Sequence, residues 1–259
     1  MRLQGRVAVI TGGGKGIGRY IAVAYAREGA RVALAARSVE AMEEVAAEIR
    51  QMGGEVLTIP TDVADEGQVR RMAEATMERF GRIEILVNNS GIPGPTRKLW
   101  EIEPAEWDEV MAVNVRGPYL CCRAVIPQMI QQQWGRIINI SSILGRAPMA
   151  LRSPYTTSKL GLVGITQVLA QEVGPENITV NLISPGAVAG DRLDLVMSRA
   201  AQTQGVTLEE FRKRYLGSTP LRRFIQPEDI AEAAVFLASD AAANITGEDL
   251  NVTGGRAMW

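Results

Sequence analysis

The sequence predicts an α/β fold: one doubly wound domain over 1–259, with a seven-stranded parallel sheet flanked by helices. Three observations carry this. Short apolar runs alternate with longer runs of helical spacing. Several of the short runs are apolar at consecutive positions, the pattern of strands buried on both faces. No internal repeat, low-complexity tract or linker interrupts the alternation.

In chain order, strands are expected at 6–11, 31–36, 55–60, 83–88, 136–141, 178–184 and 249–252. Val7-Ala8-Val9-Ile10 and the run 83–87 are apolar on both sides, so they belong at the centre of the sheet. The segments between them, 17–28, 39–51, 67–80, 104–132, 154–173 and 227–239, carry helical spacing. The rhythm breaks at 187–226, where Arg192, Arg199, Arg212, Lys213, Arg214, Arg222 and Arg223 stand beside four acids. Long excursions in compact domains are usually binding loops or lids. Leu193, Val196 and Met197, then Phe211 and Leu216, are expected to dock two short helices of a substrate lid.

Composition narrows the chemistry. Lys and Arg number 28 against 29 Asp and Glu, which argues against a nucleic-acid scavenger or a polybasic membrane binder. The chain has no histidine. That removes Ser-His-Asp and Cys-His nucleophiles, His-ligated zinc and imidazole acid-base catalysis, leaving carboxylates, Lys, Tyr or Cys to move protons. Cys121 and Cys122 are adjacent, so they form neither a useful disulfide nor a metal site and read as buried apolar residues in a reducing compartment. No run approaches a membrane span, and the N-terminus lacks a charged head followed by an apolar core. A cytoplasmic protein without metal, membrane or nucleic-acid partner is expected.

The first strand runs into Thr11-Gly12-Gly13-Gly14-Lys15-Gly16-Ile17-Gly18, with a helix after it. Glycines permit positive φ and let a phosphate approach the backbone, while the helix start presents free N–H groups and its positive dipole end. The spacing Gly-x-x-x-Gly-x-Gly differs from Gly-x-Gly-x-x-Gly, and Lys15-Gly16 is not a Walker loop. NAD binders usually place an acid at the end of the second strand to accept from the ribose 2′-hydroxyl. Here Ala36 is followed by Arg37, with Lys15 in the loop. Two cations and a missing carboxylate suit a 2′-phosphate, so NADP(H) is expected. Asp62-Val63 falls where an adenine amine can be accepted, although capping of the next helix is an equally physical role for a nearby acid. The amides of Asn88-Asn89-Ser90-Gly91 can tie strands together while the glycine admits the cofactor.

Tyr155 and Lys159 stand four apart in a helix-forming segment, so they share a face. A neighbouring ammonium favours a phenolate, which makes a tyrosine usable in proton transfer. Ser142 lies thirteen residues before Tyr155, at the end of the fifth strand.

Together these features resemble the short-chain dehydrogenase/reductase family, in the branch typified by 3-oxoacyl-carrier-protein reductases. The resemblance spans nearly the whole chain: 11–18, Asp62-Val63, 88–91, Asn114, Ser142, Tyr155 with Lys159, Pro185-Gly186, Pro227-Glu228-Asp229-Ile230-Ala231 and the Gly254-Gly255 ending. It implies a Rossmann-like fold and reduction of a ketone to a secondary alcohol by hydride transfer. By the resemblance, Tyr155 is the general acid, Ser142 binds the carbonyl oxygen and Lys159 binds the nicotinamide ribose and assists Tyr155. Asn114 holds the water linking Lys159 to solvent, a role that rests on the resemblance alone. The resemblance places Gly12, Gly14, Lys15, Gly16, Ile17, Gly18, Arg37, Asp62, Val63, Asn89, Gly91, Tyr155, Lys159, Pro185, Gly186 and Val188 around NADP(H).

Three positions depart from the family pattern. Ser90 replaces the usual alanine, Gly190 stands where a threonine usually contacts the nicotinamide amide, and Thr253 replaces a common aspartate. Ser142, Ile143, Leu144, Pro148, Met149, Ile92, Pro93 and Trp100 give a mostly apolar rim, so a hydrophobic or 3-oxoacyl-type ketone is expected, with an acyl-carrier thioester as one candidate form of it. Family members usually form homotetramers through the helices at 104–132 and 154–173. The alternatives are an NAD-linked dehydrogenase of a sugar, polyol or other secondary alcohol, and a nucleotide sensor without chemistry.

Overall fold

The computed structural model describes residues 1–259 apart from the side chain of Arg192, so the lid role expected of that arginine lies outside the described residues. Seven strands, β1 (Val7–Thr11), β2 (Arg31–Ala36), β3 (Val56–Pro60), β4 (Ile85–Asn88), β5 (Gly135–Ile140), β6 (Ile178–Pro185) and β7 (Asp249–Val252), form one sheet. Every pairing is parallel, in the order β3-β2-β1-β4-β5-β6-β7. The helices are α1 (Gly16–Arg27), α2 (Val39–Gln51), α3 (Glu66–Phe80), α4 (Pro104–Met111), α5 (Gly117–Gln132), α6 (Ser153–Val173), α7 (Asp191–Thr203), α8 (Leu208–Gly217) and α9 (Pro227–Ala238).

Strand residues alternate between the two faces, and each face has its own core. Ala8 and Ile10 of β1 join Ile21 and Tyr25 of α1, Val45 and Ile49 of α2, and Ile230 and Val235 of α9. Val7 and Val9 join Met72 and Phe80 of α3, and Cys121, Val125 and Met129 of α5. This is why the strands read as continuous apolar runs. Tyr25 is fully buried, and its hydroxyl donates to the Ala234 carbonyl at 3.0 Å, tying α1 to α9.

The expected helix at 104–132 is continuous but changes pitch: Ala112–Arg116 forms a π-turn between α4 and α5. A π-bulge inserts a residue without ending the helix, so apolar periodicity does not reveal it. Between β6 and α9, α7 and α8 are the two expected helices. Met197 and Ala201 are buried positions of α7, whereas Val196, expected to dock, is exposed. The segment is closed at its base: Val188 pairs with Ile225, Ala189 N–H donates to the Ile225 carbonyl at 2.8 Å and Ile225 N–H to the Ala187 carbonyl at 3.0 Å. Tyr215 of α8 stacks on Phe224 with ring centroids 5.9 Å apart, and the Arg256 guanidinium lies 4.1 Å from the Tyr215 centroid.

β1 pairs with β2 on one side and β4 on the other, so the strand order reverses there. In such sheets ligands bind beyond the carboxyl ends of the strands at the reversal. Nearly all the residues singled out in the sequence lie at that end.

Candidate active site

The glycine-rich turn is built for close packing on one side and openness on the other. At Gly18 a Cβ would lie 2.3 Å from the Gly12 carbonyl oxygen and 2.5 Å from Asn89 Nδ2, so the helix start sits directly on the turn. Gly16 has φ +54° and a Cβ there would meet nothing within 4 Å. Lys15 is the N-cap of α1 and supplies no side-chain cap, so the first-turn N–H groups have no partner from that residue. The first turn also lacks acids. An open, uncapped and acid-free helix start fits an anionic phosphate group.

Asn89 fixes this turn to β4. Its Nδ2 donates to the carbonyls of Thr11 at 2.9 Å and Gly12 at 3.2 Å, and its N–H donates to Thr11 Oγ1 at 3.0 Å. The same hydroxyl accepts from Ser90 N–H at 3.1 Å and donates to the Val87 carbonyl at 3.3 Å. Thr11 is therefore a hub between β1 and β4. Its place at the start of the glycine run is its only signal in the sequence. Asn88 points elsewhere: its amide donates to Asn139 Oδ1 at 2.8 Å, and Asn139 in turn donates to Thr166 on α6 at 2.8 Å.

At the end of β2, Arg37 is exposed, like Lys15, and Ser38 caps α2 by accepting from Ala41 N–H at 3.3 Å. Asp62 accepts from Ala64 N–H at 2.9 Å in a local turn, while Asp65 is the residue that caps α3. Val63 is buried and packs against Gly117, where a Cβ would come within 2.8 Å of Val63 Cγ2. At the end of β6, Gly186 N–H donates to the Val252 carbonyl at 2.9 Å beside Pro185, and half-buried Val188 begins the base of the α7–α8 segment. Gly190 takes φ +135° and ψ 172°, a conformation open essentially to glycine alone, so the backbone here is not that of a threonine.

The candidate catalytic residues lie around the first turns of α6. Lys159 is buried and its ammonium donates to the Ile140 carbonyl at 2.8 Å, at the end of β5. Nζ lies 5.7 Å from the centroid of the half-buried Tyr155 ring. Ser141 Oγ donates to the Lys159 carbonyl at 3.0 Å, and the next residue, Ser142, accepts from Leu144 N–H at 3.2 Å. Asn114, in the π-turn, is fully buried, and its Oδ1 accepts from Ile92 N–H at 2.8 Å. Its Nδ2 donates to the Ile92 carbonyl at 2.9 Å and to Ser158 Oγ at 3.0 Å. Ser158 donates to the Tyr155 carbonyl at 2.7 Å. A Cβ on Gly91 would lie 3.3 Å from Asn114 Oδ1 and 3.5 Å from Lys159 Nζ, so the glycine leaves the corner between them open. Asn114, Gly91, Ser158, Tyr155 and Lys159 thus form one cluster, with Ser142 at the strand end beside it. Ser158 has no separate signal in the sequence.

The short chain dehydrogenase family model matches residues 6–200. The chain belongs to the short chain dehydrogenase family. Within that family it is 37% identical to the 3-oxoacyl-[acyl-carrier-protein] reductase FabG of Staphylococcus aureus (strain N315) over 252 residues, covering 97% of this chain and 98% of that one. Among solved structures, NAD+-bound xylitol dehydrogenase superposes with a TM-score of 0.95 at 30% identity, covering 98% of this chain and 100% of that chain. A variant of actinorhodin polyketide ketoreductase with NADPH does so with a TM-score of 0.94 at 33% identity, covering 98% of each. The short chain dehydrogenase fold expected from the sequence is therefore the fold observed, and the protein is an oxidoreductase of that family. Among the described residues, no helix is long and apolar enough to cross a membrane.

Proposed function

We propose that this oxidoreductase uses NADPH to reduce a hydrophobic or 3-oxoacyl-type ketone to a secondary alcohol. The observation that carries the reading is the buried Lys159 ammonium, pinned by the Ile140 carbonyl and held 5.7 Å from the Tyr155 ring at the strand end that presents Ser142. When bound, the nicotinamide supplies the hydride that reaches the carbonyl carbon. Tyr155 Oη donates a proton to the carbonyl oxygen, so the ketone gains hydride plus proton and becomes the alcohol. Ser142 Oγ donates a hydrogen bond to the same oxygen and orients it. Lys159 would bind the ribose and places positive charge beside the phenolate left after proton transfer. Asn114 holds the backbone of Ile92 and, through Ser158, the first turn of α6. Both Nδ2 hydrogens of Asn114 are engaged by Ile92 and Ser158, while its Oδ1, which accepts from Ile92 N–H, has a second lone pair with which to hold the water that links Lys159 to solvent.

The preference for NADP(H) rests on exposed Arg37 and Lys15 near the uncapped start of α1, with no acid at Ala36. Gly12, Gly14, Gly16, Ile17 and Gly18 would hold the phosphates, Asp62 and Val63 would hold the adenine, and Asn89, Gly91, Pro185, Gly186 and Val188 would hold the ribose and nicotinamide. The α7–α8 segment acts as the substrate lid. Exposed Tyr119 on α5 and Leu160 and Val168 on α6 support a homotetramer through those helices. The similarity to 3-oxoacyl-carrier-protein reductases makes an acyl-carrier thioester the first substrate to try.

The test is oxidation of NADPH and of NADH, at equal concentrations, with a 3-oxoacyl thioester, a 3-oxo ester, a cyclic diketone and a keto-sugar. Turnover with NADPH and a linear 3-oxo compound is expected. Turnover confined to NADH and sugars or polyols overturns the reading in favour of a polyol dehydrogenase.

A further inference from the structure

We infer that a cleft at the amino ends of β1 and β4, opposite the candidate active site, binds the phosphate group of a small polar phosphate monoester. The cleft measures about 390 Å³, and Arg2, Arg6 and Arg82 line it together with Glu84 and Asp240. Arg6 directly precedes β1 and Glu84 directly precedes β4, whereas the glycine-rich turn follows the other end of β1.

Two of the arginines are held side by side by one carboxylate oxygen. Arg6 Nη1 lies 2.7 Å from Glu84 Oε1, and Arg82 Nη2 lies 2.9 Å from the same atom. Glu84 is buried, and its Oε2 accepts from Val7 N–H at 3.1 Å, which fixes the carboxylate to the start of β1. One negative charge therefore holds two positive ones together. A guanidinium carries five N–H donors, and each of these two spends one nitrogen on Glu84. Arg6 Nη2 is 3.8 Å from Asp240 Oδ1, beyond hydrogen-bond reach. Arg82 is exposed. Most of both donor edges is left to a ligand in the cleft.

The cations are also fixed in place and in excess. The guanidinium carbon of Arg6 lies 3.8 Å from the Trp134 ring centroid, and that of Arg136 lies 4.2 Å from the same centroid. Arg136 is buried, with Asp240 as its ion-pair partner at 3.7 Å. Burial lowers the Arg136 pKa; Asp240 opposes that shift and the Arg6 charge adds to it. Arg2 is already answered by Glu28 at 2.6 Å and Glu232 at 2.8 Å. Arg6, Arg82 and Arg136 thus face Glu84 and Asp240, which leaves one positive charge in excess. A tetrahedral oxyanion can accept from two guanidiniums at once and relieve their mutual repulsion. The volume is that of a small-molecule site rather than of a bare ion. Gln4 adds an amide to the lining, so the body carried by the phosphate is a polar one.

The test is isothermal titration calorimetry with inorganic phosphate and with glycerol 3-phosphate, at constant ionic strength, with and without NADPH. Wild type, R82Q and D240N are compared. Saturable binding of both ligands is expected, and it persists with NADPH present. R82Q should weaken it by about 10- to 100-fold, the scale of a hydrogen bond to a charged group. D240N removes the one carboxylate that lines the cleft exposed to solvent, and should tighten phosphate binding by about two- to fivefold. Binding that NADPH abolishes, or that neither substitution alters, belongs to the nucleotide turn or elsewhere and overturns the inference. Lack of saturation by about 10 mM of either ligand overturns it too. Binding of phosphate without glycerol 3-phosphate overturns the assignment of an ester. If R82Q fails to fold, D240N at its exposed position carries the test, and unchanged or weaker affinity there overturns the inference.

Discussion

The carboxamide of Asn114 clamps the backbone of Ile92 from both sides, accepting from its N–H at 2.8 Å and donating to its carbonyl at 2.9 Å. This pairing joins the π-turn of the long helix to the loop that follows β4. The same Nδ2 reaches Ser158 and, through it, the carbonyl of Tyr155. One buried side chain thus sets the distance between the loop after β4 and the helix that carries the phenol.

Replacing Asn114 with Leu removes all three hydrogen bonds at once. Each buried group left unpaired costs about 1–3 kcal/mol, so the variant should melt several degrees below the wild type. Its kcat/KM should fall by about 10²-fold because the loop and helix lose their register. Thermal melts and steady-state kinetics in parallel check both. Unchanged activity would show that the clamp does not position the site.

Tyr155→Phe keeps the ring and its packing while removing the proton donor. Turnover should fall by about 10²–10⁴-fold, the usual scale of general acid catalysis, with NADPH affinity largely retained. Fluorescence titration of NADPH beside a single-turnover assay separates the two effects. Near-wild-type turnover would mean that another group donates the proton.

The two glycines of the phosphate turn should respond differently to alanine. At Gly18 the new methyl would sit 2.3 Å from the Gly12 carbonyl oxygen, which forces the turn apart. A loss of about 1–3 kcal/mol in stability is expected, accompanied by loss of nucleotide binding. At Gly16 the methyl meets no atom within 4 Å and only the positive φ opposes it, a cost of about 1 kcal/mol. Denaturant titrations of the two variants, with and without NADPH, resolve the difference.

The adjacent thiols predict an alkaline limit to stability. Burial pushes the Cys122 thiol up to about 12, partly opposed by the Asn88 amide, and it raises Cys121 as well. A thiol whose folded-state value is raised stays neutral in the fold but ionises in the unfolded chain at about 8.5. The contribution is complete below that pH and is lost as pH climbs toward about 12. Melting temperature should therefore fall between neutral and strongly alkaline pH, less steeply in Cys122→Ala. At neutral pH a thiol reagent should label both cysteines only as fast as the protein unfolds.

The strands are legible because burial on both faces leaves no polar alternation, as Val7 to Ile10 illustrate. The glycine turn and the Tyr155–Lys159 pair are legible because their chemistry requires fixed spacing along one element. Asn114 is visible only by resemblance, since a π-turn leaves no trace in apolar periodicity. Ser158 is not legible at all: its significance lies in its contact with Asn114, more than forty residues away in the chain. Val196 misleads because α7 buries a narrower stripe, around Met197 and Ala201, than its apolar content suggests.

The segment from β6 to α9 leaves and re-enters the body of the protein at nearly the same point, where Val188 meets Ile225. Its two ends are stitched to each other rather than spread along the sheet. A module closed in this way can be exchanged between relatives as a cassette, with the junctions placed at that pairing. The phosphate turn and the Tyr155 cluster would remain in the recipient. If the segment is the substrate lid proposed above, substrate choice and catalytic machinery become separable inheritances, free to vary at different rates.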